Sequence, residues 1–271
     1  MIISILGCGW LGLPLAEHLR DSGHSIKGST TSREKLALLK GKNIQPYLIR
    51  LDPDLNADAD PGFWDADLLV LNIPPGRGRE NVEAFHLRQI QSVVNRLQES
   101  SIGEVIFVSS TSVYPEKPDI VGEEDTKPGE AVRDTGNALL KAEQLLMNHS
   151  SFETTVIRFG GLYGYDRHPV NHLAGRTNLS RGNAPVNLIH QDDCIGIIRA
   201  LIDSDIRNQI FNGVSDGHPP KKMYYPAIAE AKDLSPPEYA RDEGKDYKVV
   251  SNLKLKHMLD YEFKYPNPMD F

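Results

Sequence analysis

The sequence contains few cysteines, and this scarcity excludes two classes of small, cross-linked fold. Its 271 residues include two cysteines, Cys8 and Cys194, too few for a disulfide framework and without the spacing of a zinc site. His168 and His172 stand four residues apart, but Pro169 interrupts any helix between them and no third ligand is evident. We therefore expect no metal site, and a fold stabilised by its hydrophobic core.

Two further absences limit the partners. The sequence has no apolar run of transmembrane length. Lysine and arginine (30) are outnumbered by aspartate and glutamate (37), which gives a net charge of -7. This balance argues against nucleic acid and anionic membranes as main partners, although it leaves room for a local basic pocket. We expect a soluble, cytoplasmic protein that acts on a small molecule.

The first 160 residues do contain a regular alternation of apolar runs and amphipathic segments. Short β-branched runs predict buried strands, and apolar residues at helical spacing predict the helices between them. The predicted strands are 1–6, 25–29, 46–51, 67–73, 105–109 and 154–159, and the predicted helices are 11–22, 33–40, 82–98 and 138–148. Such alternation produces right-handed βαβ units. It predicts an α/β fold with a Rossmann-like, doubly wound parallel sheet.

The composition changes after Gly160, and this change sets the predicted domain organisation. Residues 161–185 are rich in Gly, Arg, Asn and His, whereas 213–271 contain many prolines and two short helical patterns at 223–232 and 253–259. Between them, 186–190, 195–202 and 209–212 have the pattern of a strand, a helix and a strand. We predict a Rossmann domain over 1–160, completed by 186–212, and a small substrate-side lobe formed by 161–185 and 213–271.

A glycine-rich hexapeptide, Gly7-Cys8-Gly9-Trp10-Leu11-Gly12, follows the first strand and opens the first helix. The G-x-G-x-x-G pattern indicates a dinucleotide-binding loop when it lies between a strand and a helix, as it does here. Gly7 permits the tight turn, Gly9 lets a pyrophosphate approach the backbone, and Gly12 allows close packing of helix and strand. The helix N-terminus adds free N–H donors and a partial positive charge. We predict that this loop, including Trp10 and Leu11, binds a nicotinamide dinucleotide.

The end of the second strand distinguishes NADP from NAD. An NAD site has an acidic residue about 20 residues beyond the loop, where it binds the ribose hydroxyls. Here that neighbourhood reads Gly28-Ser29-Thr30-Thr31-Ser32-Arg33 and contains no acid. Hydroxyls and a guanidinium suit a 2′-phosphate, which a carboxylate would repel. Thr30, Thr31 and Arg33 therefore favour NADP, with NAD as the alternative, unless these polar residues only cap the next helix.

Several segments together resemble the extended short-chain dehydrogenase/reductase superfamily, and within it the NAD-dependent epimerase/dehydratase family. They are GCGWLG at 7–12, VIFVSSTSVY at 105–114, KAEQLL at 141–146, VIRFGGLYG at 156–164 and NLIHQDD at 187–193. The similarity spans nearly the whole chain. It implies that Asn72, Ile73 and Pro74 line the adenosine ribose and phosphates, and that Phe159 and Gly160 approach the nicotinamide. Ser109, at the end of strand five, is a further candidate cofactor contact.

The usual catalytic set of that family is incomplete in this chain. The family joins a Ser or Thr after strand five to a Tyr-x-x-x-Lys pair on the next helix. The resemblance places the serine at Ser110, the tyrosine at Thr135 and the lysine at Leu139. Ser110 and Thr135 are the candidate catalytic residues, although a threonine hydroxyl is a poor proton shuttle near neutral pH. The phenols of Tyr114 and Tyr163 either supply a proton instead or pack at the domain junction.

Three other patterns have alternative interpretations. The G-x-S-x-G pattern around Ser215 indicates either a hydrolase elbow or a turn, and the prolines after His218 favour the turn. Residues 190–193 predict a helix N-cap at Asp192 or Asp193. Arginines concentrate after the sheet, where they could clamp an anionic substrate such as a sugar nucleotide. They are Arg158, Arg167, Arg176 and Arg181.

Two functions remain open. One is an NAD(P)(H)-binding oxidoreductase or epimerase/dehydratase-like enzyme acting on a small, anionic or sugar-nucleotide substrate. The other is a non-catalytic NADP(H)-binding sensor or regulatory protein, which the missing Tyr/Lys pair favours. The resemblance also implies a homodimer, because relatives pair through the helices that correspond to 82–98 and 138–148.

Overall fold

A computed structural model of the chain describes residues 1–56, 59–76, 78, 80–116, 119–241, 244 and 247–270. The strands are β1 (Ile2–Leu6), β2 (Ser25–Thr30), β3 (Gln45–Leu48), β4 (Leu68–Leu71), β5 (Glu104–Ser110), β6 (Ile120–Val121), β7 (Glu153–Phe159), β8 (Gly161–Tyr163), β9 (Leu188–His190), β10 (Ile210–Gly213) and β11 (Val249–Val250). The helices are α1 (Gly12–Asp21), α2 (Glu34–Gly41), α3 (Val82–Leu97), α4 (Asp134–Met147), α5 (Gln191–Asp203), α6 (Lys221–Ala231) and α7 (Leu253–Leu259). Among the described residues, no helix combines the length and apolarity needed to span a bilayer.

A parallel sheet forms the centre of the molecule. Within the described residues it has seven strands, in the order β10-β7-β5-β4-β1-β2-β3. The strands are almost entirely buried because α1 and α5 cover one face, whereas α3 and α4 cover the other. This arrangement confirms the predicted α/β, Rossmann-like, doubly wound sheet. The strand order reverses between β1 and β4, and the resulting crevice at their carboxyl ends is where open α/β sheets bind ligands.

The smaller lobe is built from short, distant pairings. Strand β8 pairs with β9, and β6 pairs with β11, in two separate two-stranded sheets. A separate apolar cluster, distinct from those on the two faces of the central sheet, lies beneath α6 and includes Tyr163, Val186 and Tyr224. Of the predicted segment 186–212, the end at β10 joins the central sheet beside β7, but β9 lies outside it. The exact division into two domains stays a prediction.

Most element boundaries lie within a few residues of those predicted, and the largest differences are at the starts of α4 and α5, each four residues before its prediction. Helix α4 begins at Asp134. Gly136 has weak helix propensity, but a Cβ there would lie 2.2 Å from the carbonyl oxygen of Ser112. Close packing against the short 3-10 turn Thr111–Val113 therefore fixes this first turn, which local propensity does not favour.

Candidate functional site

The glycine loop, Gly7–Gly12, occupies the crevice between β1 and β4. Gly7 has a φ of +111°, and a Cβ there would lie 2.4 Å from the carbonyl oxygen of Asn72. A Cβ on Gly12 would lie 2.1 Å from the carbonyl oxygen of Gly7. Both positions therefore require glycine for packing. Gly9 differs, because a Cβ there would meet nothing within 4 Å, so the space beside it can accept a phosphate.

Two neighbouring strand ends hold the glycine loop in place. The N–H of Gly7 donates to Ser29 Oγ at 2.9 Å, and the N–H of Cys8 donates to the Ser29 carbonyl at 3.0 Å. From the other side, Asn72 Nδ2 donates to the Gly7 carbonyl at 3.1 Å. Ser29 was not among the predicted site residues, because its contact depends on β2 lying beside β1. The side chain of Asn72 is thus engaged in supporting the loop, while Ile73 and Pro74 extend beyond it.

The cysteine within the loop is a packing residue. Burial raises the pKa of the Cys8 thiol to about 12, and a Cβ on Gly28 would lie 2.9 Å from its sulfur. A thiol with so high a pKa remains protonated and is a weak nucleophile near neutral pH. Cys8 therefore fills the space between the loop and β2.

The end of β2 carries hydroxyls and positive charge. Thr30 is nearly buried, and its Oγ1 accepts a hydrogen bond from the N–H of Ser32 at 3.2 Å. Thr31 and Arg33 are exposed. Arg50, which follows β3, reaches across so that its Nε donates to the Thr31 carbonyl at 3.1 Å. Sequence reasoning missed Arg50 because only the pairing of β2 with β3 brings it here.

Glu34 is the first residue of α2, close to the end of β2, and nearby charges affect the pKa of its carboxyl. The hydrogen bond from the Ser32 hydroxyl lowers the pKa of the Glu34 carboxyl, and the charges of Arg50 and Arg33 lower it further. Two guanidinium groups and one carboxylate therefore surround the end of β2. The balance is a net positive charge at the place where a dinucleotide's adenosine ribose would lie in a Rossmann site.

Ser110 ends β5, and its surroundings connect it to α4. Its Oγ accepts a hydrogen bond from the N–H of Ser112 at 3.2 Å. Thr135 lies in the first turn of α4, half-buried, in the helical turn whose Gly136 packs on the Ser112 backbone. The structure therefore brings the Ser110 and Thr135 segments together. Leu139, at the position of the family's lysine, is buried and supplies no charge.

Directly behind this site lies a buried network of polar side chains. Ser109 Oγ donates to Glu143 Oε1 at 2.5 Å, and Arg158 Nη2 pairs with Glu143 Oε2 at 2.6 Å. Arg158 Nη1 also donates to the Glu123 carbonyl at 2.8 Å. Arg158 is 1% exposed, so its predicted role in clamping a substrate is wrong: a buried carboxylate neutralises it. The hydroxyl of Ser109 is engaged in the same network, which leaves its backbone for a ligand.

The two phenols considered as proton sources are both buried. Tyr114 donates to Asn212 Oδ1 at 2.7 Å and accepts from Arg158 Nη1 at 2.9 Å. Burial raises its pKa to about 12, although the charge of Arg158 opposes this shift. Burial also raises the pKa of Tyr163. The hydroxyls of Tyr163 and Ser215 lie near each other, but neither forms a hydrogen bond of suitable geometry in the described structure.

Phe159 and Gly160 form the junction of β7 and β8. The ring of Phe159 is 2% exposed and packs so tightly that a Cβ on Gly213 would lie 2.4 Å from it. A Cβ on Gly160 would lie 2.6 Å from the Asn187 carbonyl oxygen. The aromatic ring is thus part of the core, and only the backbone at this junction is available to a cofactor.

A basic cluster is formed by Arg133, Arg181, Lys221 and Lys248, and the carboxylate of Glu116 lies within it. Arg181 Nη2 lies 2.7 Å from Glu116 Oε2. Burial lowers the pKa of Lys221, as do the charges of Arg181 and Arg133, whereas Glu116 raises it. Burial and Arg181 likewise lower the pKa of Lys248. Among the described residues, the cluster holds four cations and one carboxylate, in a protein whose net charge is negative.

The basic cluster adjoins the Ser110 and Thr135 segments. Lys248 Nζ donates to the Tyr114 carbonyl at 2.8 Å, directly after the turn that follows Ser110. Arg133 is the residue that precedes α4. Of the four arginines predicted to clamp an anion, Arg181 lies in this cluster. The other cations were missed because they come from distant parts of the chain.

The start of α5 differs from the prediction. His190 is the N-cap, since its Nδ1 accepts from the Asp192 N–H at 3.1 Å. The predicted cap at Asp192 or Asp193 is wrong because the helix already begins at Gln191. Asp193 is fully buried and instead accepts the backbone N–H groups of Lys264 and Tyr265 at 2.7 and 3.0 Å. It fixes the carboxyl-terminal segment against the sheet domain.

The G-x-S-x-G pattern around Ser215 and the histidine at position 168 have structural roles. Ser215 is fully buried, and α6 begins only at Lys221, so the chain does not turn directly from this serine into a helix. His168 Nε2 hydrogen-bonds the Tyr224 hydroxyl at 2.9 Å, while its Nδ1 accepts from Val170 N–H. The described residues contain no group of three or more His, Cys, Asp or Glu arranged for a metal ion.

A cavity of about 270 Å³ lies in the smaller lobe. It is lined by Tyr163, Gly164, Tyr165, His168, His190, Ile228, Ala231, Lys232, Tyr265, Pro268 and Asp270. None of the predicted catalytic or cofactor-binding residues is among its lining residues. The cavity is therefore separate from the crevice that the glycine loop occupies.

Comparisons with known proteins agree with this geometry. No protein-family model matches the chain. Protein YeeZ of Escherichia coli (strain K12) is 34% identical over 271 residues, which cover 98% of this chain and 97% of that protein. Two of the solved structures that share the fold hold NAD. UDP-glucuronic acid 4-epimerase from Bacillus cereus, in complex with NAD, is 16% identical with a TM-score of 0.80, covering 100% of this chain and 94% of that one.

The second structure is a short-chain dehydrogenase/reductase superfamily protein from Agrobacterium tumefaciens with bound NAD. It is 15% identical with a TM-score of 0.78, and the match covers 97% of this chain and 93% of that one. These likenesses confirm the fold that the resemblance of the sequence segments implies. The chain therefore belongs to the family of protein YeeZ and shares the fold of these two NAD-bound proteins.

Proposed function

We propose that the chain binds a nicotinamide dinucleotide with its pyrophosphate at the glycine loop. The observation that carries this proposal is the contrast among the three glycines. Gly7 and Gly12 are closed in by backbone, whereas Gly9 faces open space at the N-terminus of α1. An anion there would meet unpaired N–H groups and the positive end of the helix dipole. Both solved structures named above hold NAD in the same fold.

NADP is the preferred dinucleotide in this proposal. The solved neighbours hold NAD, so the preference depends on residues of this chain alone. Thr30 and Thr31 offer hydroxyl or backbone groups, and Arg33 and Arg50 offer two guanidinium groups that suit a 2′-phosphate. Glu34 opposes it with one negative charge, and the two arginines outweigh that charge. NAD remains the alternative.

The proposed substrate is a small anionic molecule, with a sugar nucleotide as the specific candidate. The basic cluster supports the first part, because it adjoins the Ser110 and Thr135 segments and, as far as the structure describes the chain, its four cations accompany a single carboxylate, that of Glu116. Burial strengthens the attraction that such cations exert on a phosphate. The UDP-sugar epimerase of the same fold supports the second part.

The proposed reaction is that of an oxidoreductase or an epimerase/dehydratase-like enzyme. A bound nicotinamide dinucleotide supplies hydride transfer. Ser110 would orient and polarise a substrate oxygen, with its hydroxyl held by the turn at 111–113. Thr135 would add a second hydroxyl. Because Leu139 supplies no ammonium group, the chain lacks the device that makes the family's tyrosine acidic, and we expect slow proton transfer.

The same observation supports a second candidate function, a non-catalytic NADP(H)-binding sensor or regulatory protein. Thr135 and Leu139 remove the usual proton shuttle, yet the glycine loop and its supports at Ser29 and Asn72 are intact. A protein that had kept cofactor binding without the chemistry would have this combination. Homodimer formation through α3 and α4 also stays a prediction.

The two functions differ in turnover. Turnover would be measured for the wild type and Ser110→Ala as NADPH oxidation with aldehydes, ketones and UDP-4-keto sugars, and as NADP⁺ reduction with UDP-sugars. Conversion of UDP-sugars to epimers or dehydration products would be measured by product analysis, because such reactions return the hydride and leave no net change in the nicotinamide. An enzyme should turn over one class, and Ser110→Ala should slow it about 100-fold while the Kd for NADPH stays unchanged. NADPH binding without turnover of any class would favour the sensor. No binding of NADPH or NADH at millimolar concentration would refute both functions.

A further inference from the structure

A tight hairpin in the smaller lobe, Gly164–Arg167, touches the glycine loop. It directly follows β8, and its ends are joined by two hydrogen bonds between the backbones of Gly164 and Arg167, at 2.9 and 3.0 Å. Gly164 and Tyr165 both have positive φ, +134° and +52°, which is the backbone conformation that folds the chain back so sharply. The Tyr165 hydroxyl donates to Asp192 Oδ1 at 2.8 Å and anchors the hairpin to α5.

The hairpin holds Trp10, which lies in the middle of the glycine loop. Trp10 Nε1 donates to Asp166 Oδ1 at 3.1 Å. The guanidinium carbon of Arg167 lies 5.0 Å from the centroid of the Trp10 ring, within the range of a cation–π contact. Gln191 Nε2 donates to the Trp10 carbonyl at 2.6 Å. Three side chains that lie more than 150 residues further along the sequence therefore contact one residue of the loop.

Arg167 has no ion-pair partner among the residues that the structure describes. None of their carboxylates lies within 4 Å of its guanidinium, whereas Arg158 and Arg181 each have such a partner. Asp166 is engaged with the indole of Trp10. Arg167 is itself exposed. A guanidinium that no described carboxylate neutralises thus stands at the glycine loop, whose N–H groups already favour an anion.

We propose that Arg167 is a ligand of the dinucleotide's pyrophosphate, brought to the glycine loop by the hairpin and by its contact with Trp10. The inference deepens the proposed dinucleotide site and depends on it. A pyrophosphate carries two negative charges, and a guanidinium can hold two of its oxygens at once. The dinucleotide would then be bound by both lobes, from Gly9 on one side and from Arg167 on the other.

The test compares Arg167→Met with Arg199→Met by calorimetric titration of NADPH and of NADH. Methionine keeps much of the aliphatic contact with Trp10 and removes the charge. Arg199 is a matched control, because it is an exposed arginine on α5 that pairs with Asp203. We expect Arg167→Met to weaken both nucleotides by the same factor, about tenfold, since both contain the pyrophosphate. Arg199→Met should bind both as the wild type does, and Arg167→Lys should recover part of the loss.

Two outcomes would overturn the inference while leaving the proposed function in place. One is wild-type affinity of Arg167→Met for both nucleotides. The other is a loss confined to NADPH, which would assign Arg167 to the 2′-phosphate instead. If the wild type binds neither nucleotide, the proposed function fails first and takes the inference with it. Circular dichroism spectra of the variants exclude unfolding as the cause of a loss.

Discussion

At the scale of single residues, the spacing of glycines was sufficient to locate the turn between β1 and α1 but not the residues that support it. Gly7, Gly9 and Gly12 belong to a local sequence pattern, and their different surroundings in the structure distinguish their roles. Ser29 and Arg50 carry no local signal, because their contacts arise only when β2 lies between β1 and β3. Sequence proximity also misassigned Arg158, whose burial depends on Glu143 from another element.

The three glycines predict different consequences of the same substitution. Gly9→Ala should fold normally, since its Cβ would meet nothing within 4 Å, and should weaken NADPH binding more than tenfold by occupying the space for the phosphate. Gly12→Ala should destabilise the fold by about 1–3 kcal/mol, because its Cβ would strike the Gly7 carbonyl. Urea unfolding and calorimetric titration measure the two effects. Equal losses of stability in both variants would contradict this account.

The arginine that sequence reasoning missed gives a test of cofactor preference. Arg50→Met should weaken NADPH about tenfold and leave NADH nearly unchanged, because only NADPH carries the 2′-phosphate that Arg50 would bind. Arg88, an exposed arginine that pairs with Asp54, is the matched control. If Arg50→Met weakens the binding of NADPH and NADH equally, Arg50 supports the site without binding the 2′-phosphate.

At the scale of elements, prediction succeeded where apolar runs are long and failed where strands form from distant partners. The central strands β4 and β5 contain continuous apolar runs, which local pattern detects. The two-residue strand β6 pairs with β11, more than a hundred residues away, and neither has a periodic signal. The predicted 186–190 strand exists as β9, but its partner is β8, and no local property specifies that pairing.

The Glu143–Arg158 pair links α4 to β7 directly behind the Ser110 site. Arg158→Met should cost about 3–5 kcal/mol of unfolding free energy, because it leaves the Glu143 carboxylate buried without its cation. Glu99→Gln, in an exposed pair with Arg96, should cost less than about 1 kcal/mol. Urea denaturation measures both. A cost for Arg158→Met as small as that of Glu99→Gln would show that the pair is dispensable to α4 and β7.

At the scale of the whole molecule, buried histidine makes stability depend on pH. Burial, aided by the charge of Lys232, lowers the pKa of His168 to about 4 from an ordinary value of about 6.5. The folded state therefore resists a proton that the unfolded chain accepts. Stability is unaffected above pH 6.5 and falls as the pH drops toward 4, by about 2 kcal/mol for this residue.

Urea unfolding at pH 7.5 and pH 4.5 measures this dependence. Other histidines, the buried His86 and His190 and the partly buried His218, have pKa values lowered in the same direction, so the wild type is compared with His168→Asn. The variant should lose about 2 kcal/mol less than the wild type between the two pH values, even if it is less stable at both. Identical losses in the two proteins would contradict the buried, neutral state of His168.

The two lobes meet at the glycine loop, and this organisation is visible only in the folded chain. The sheet domain supplies the loop, while the hairpin, α5 and the carboxyl-terminal segment reach it or its neighbours from the other end of the sequence. Composition indicated a second lobe after Gly160, but it did not indicate which residues of the two lobes contact each other. The resemblance of short segments therefore predicted the fold and the loop better than the surroundings of the loop.

The central claim is that the glycine loop binds a nicotinamide dinucleotide, and calorimetric titration of the purified chain with NADPH tests it most directly. We predict one binding site per chain, a micromolar Kd, weaker binding of NADH, and a loss of more than tenfold in Gly9→Ala. The absence of binding heat for either nucleotide at millimolar concentration and at two temperatures would contradict the claim, as would undiminished affinity in Gly9→Ala.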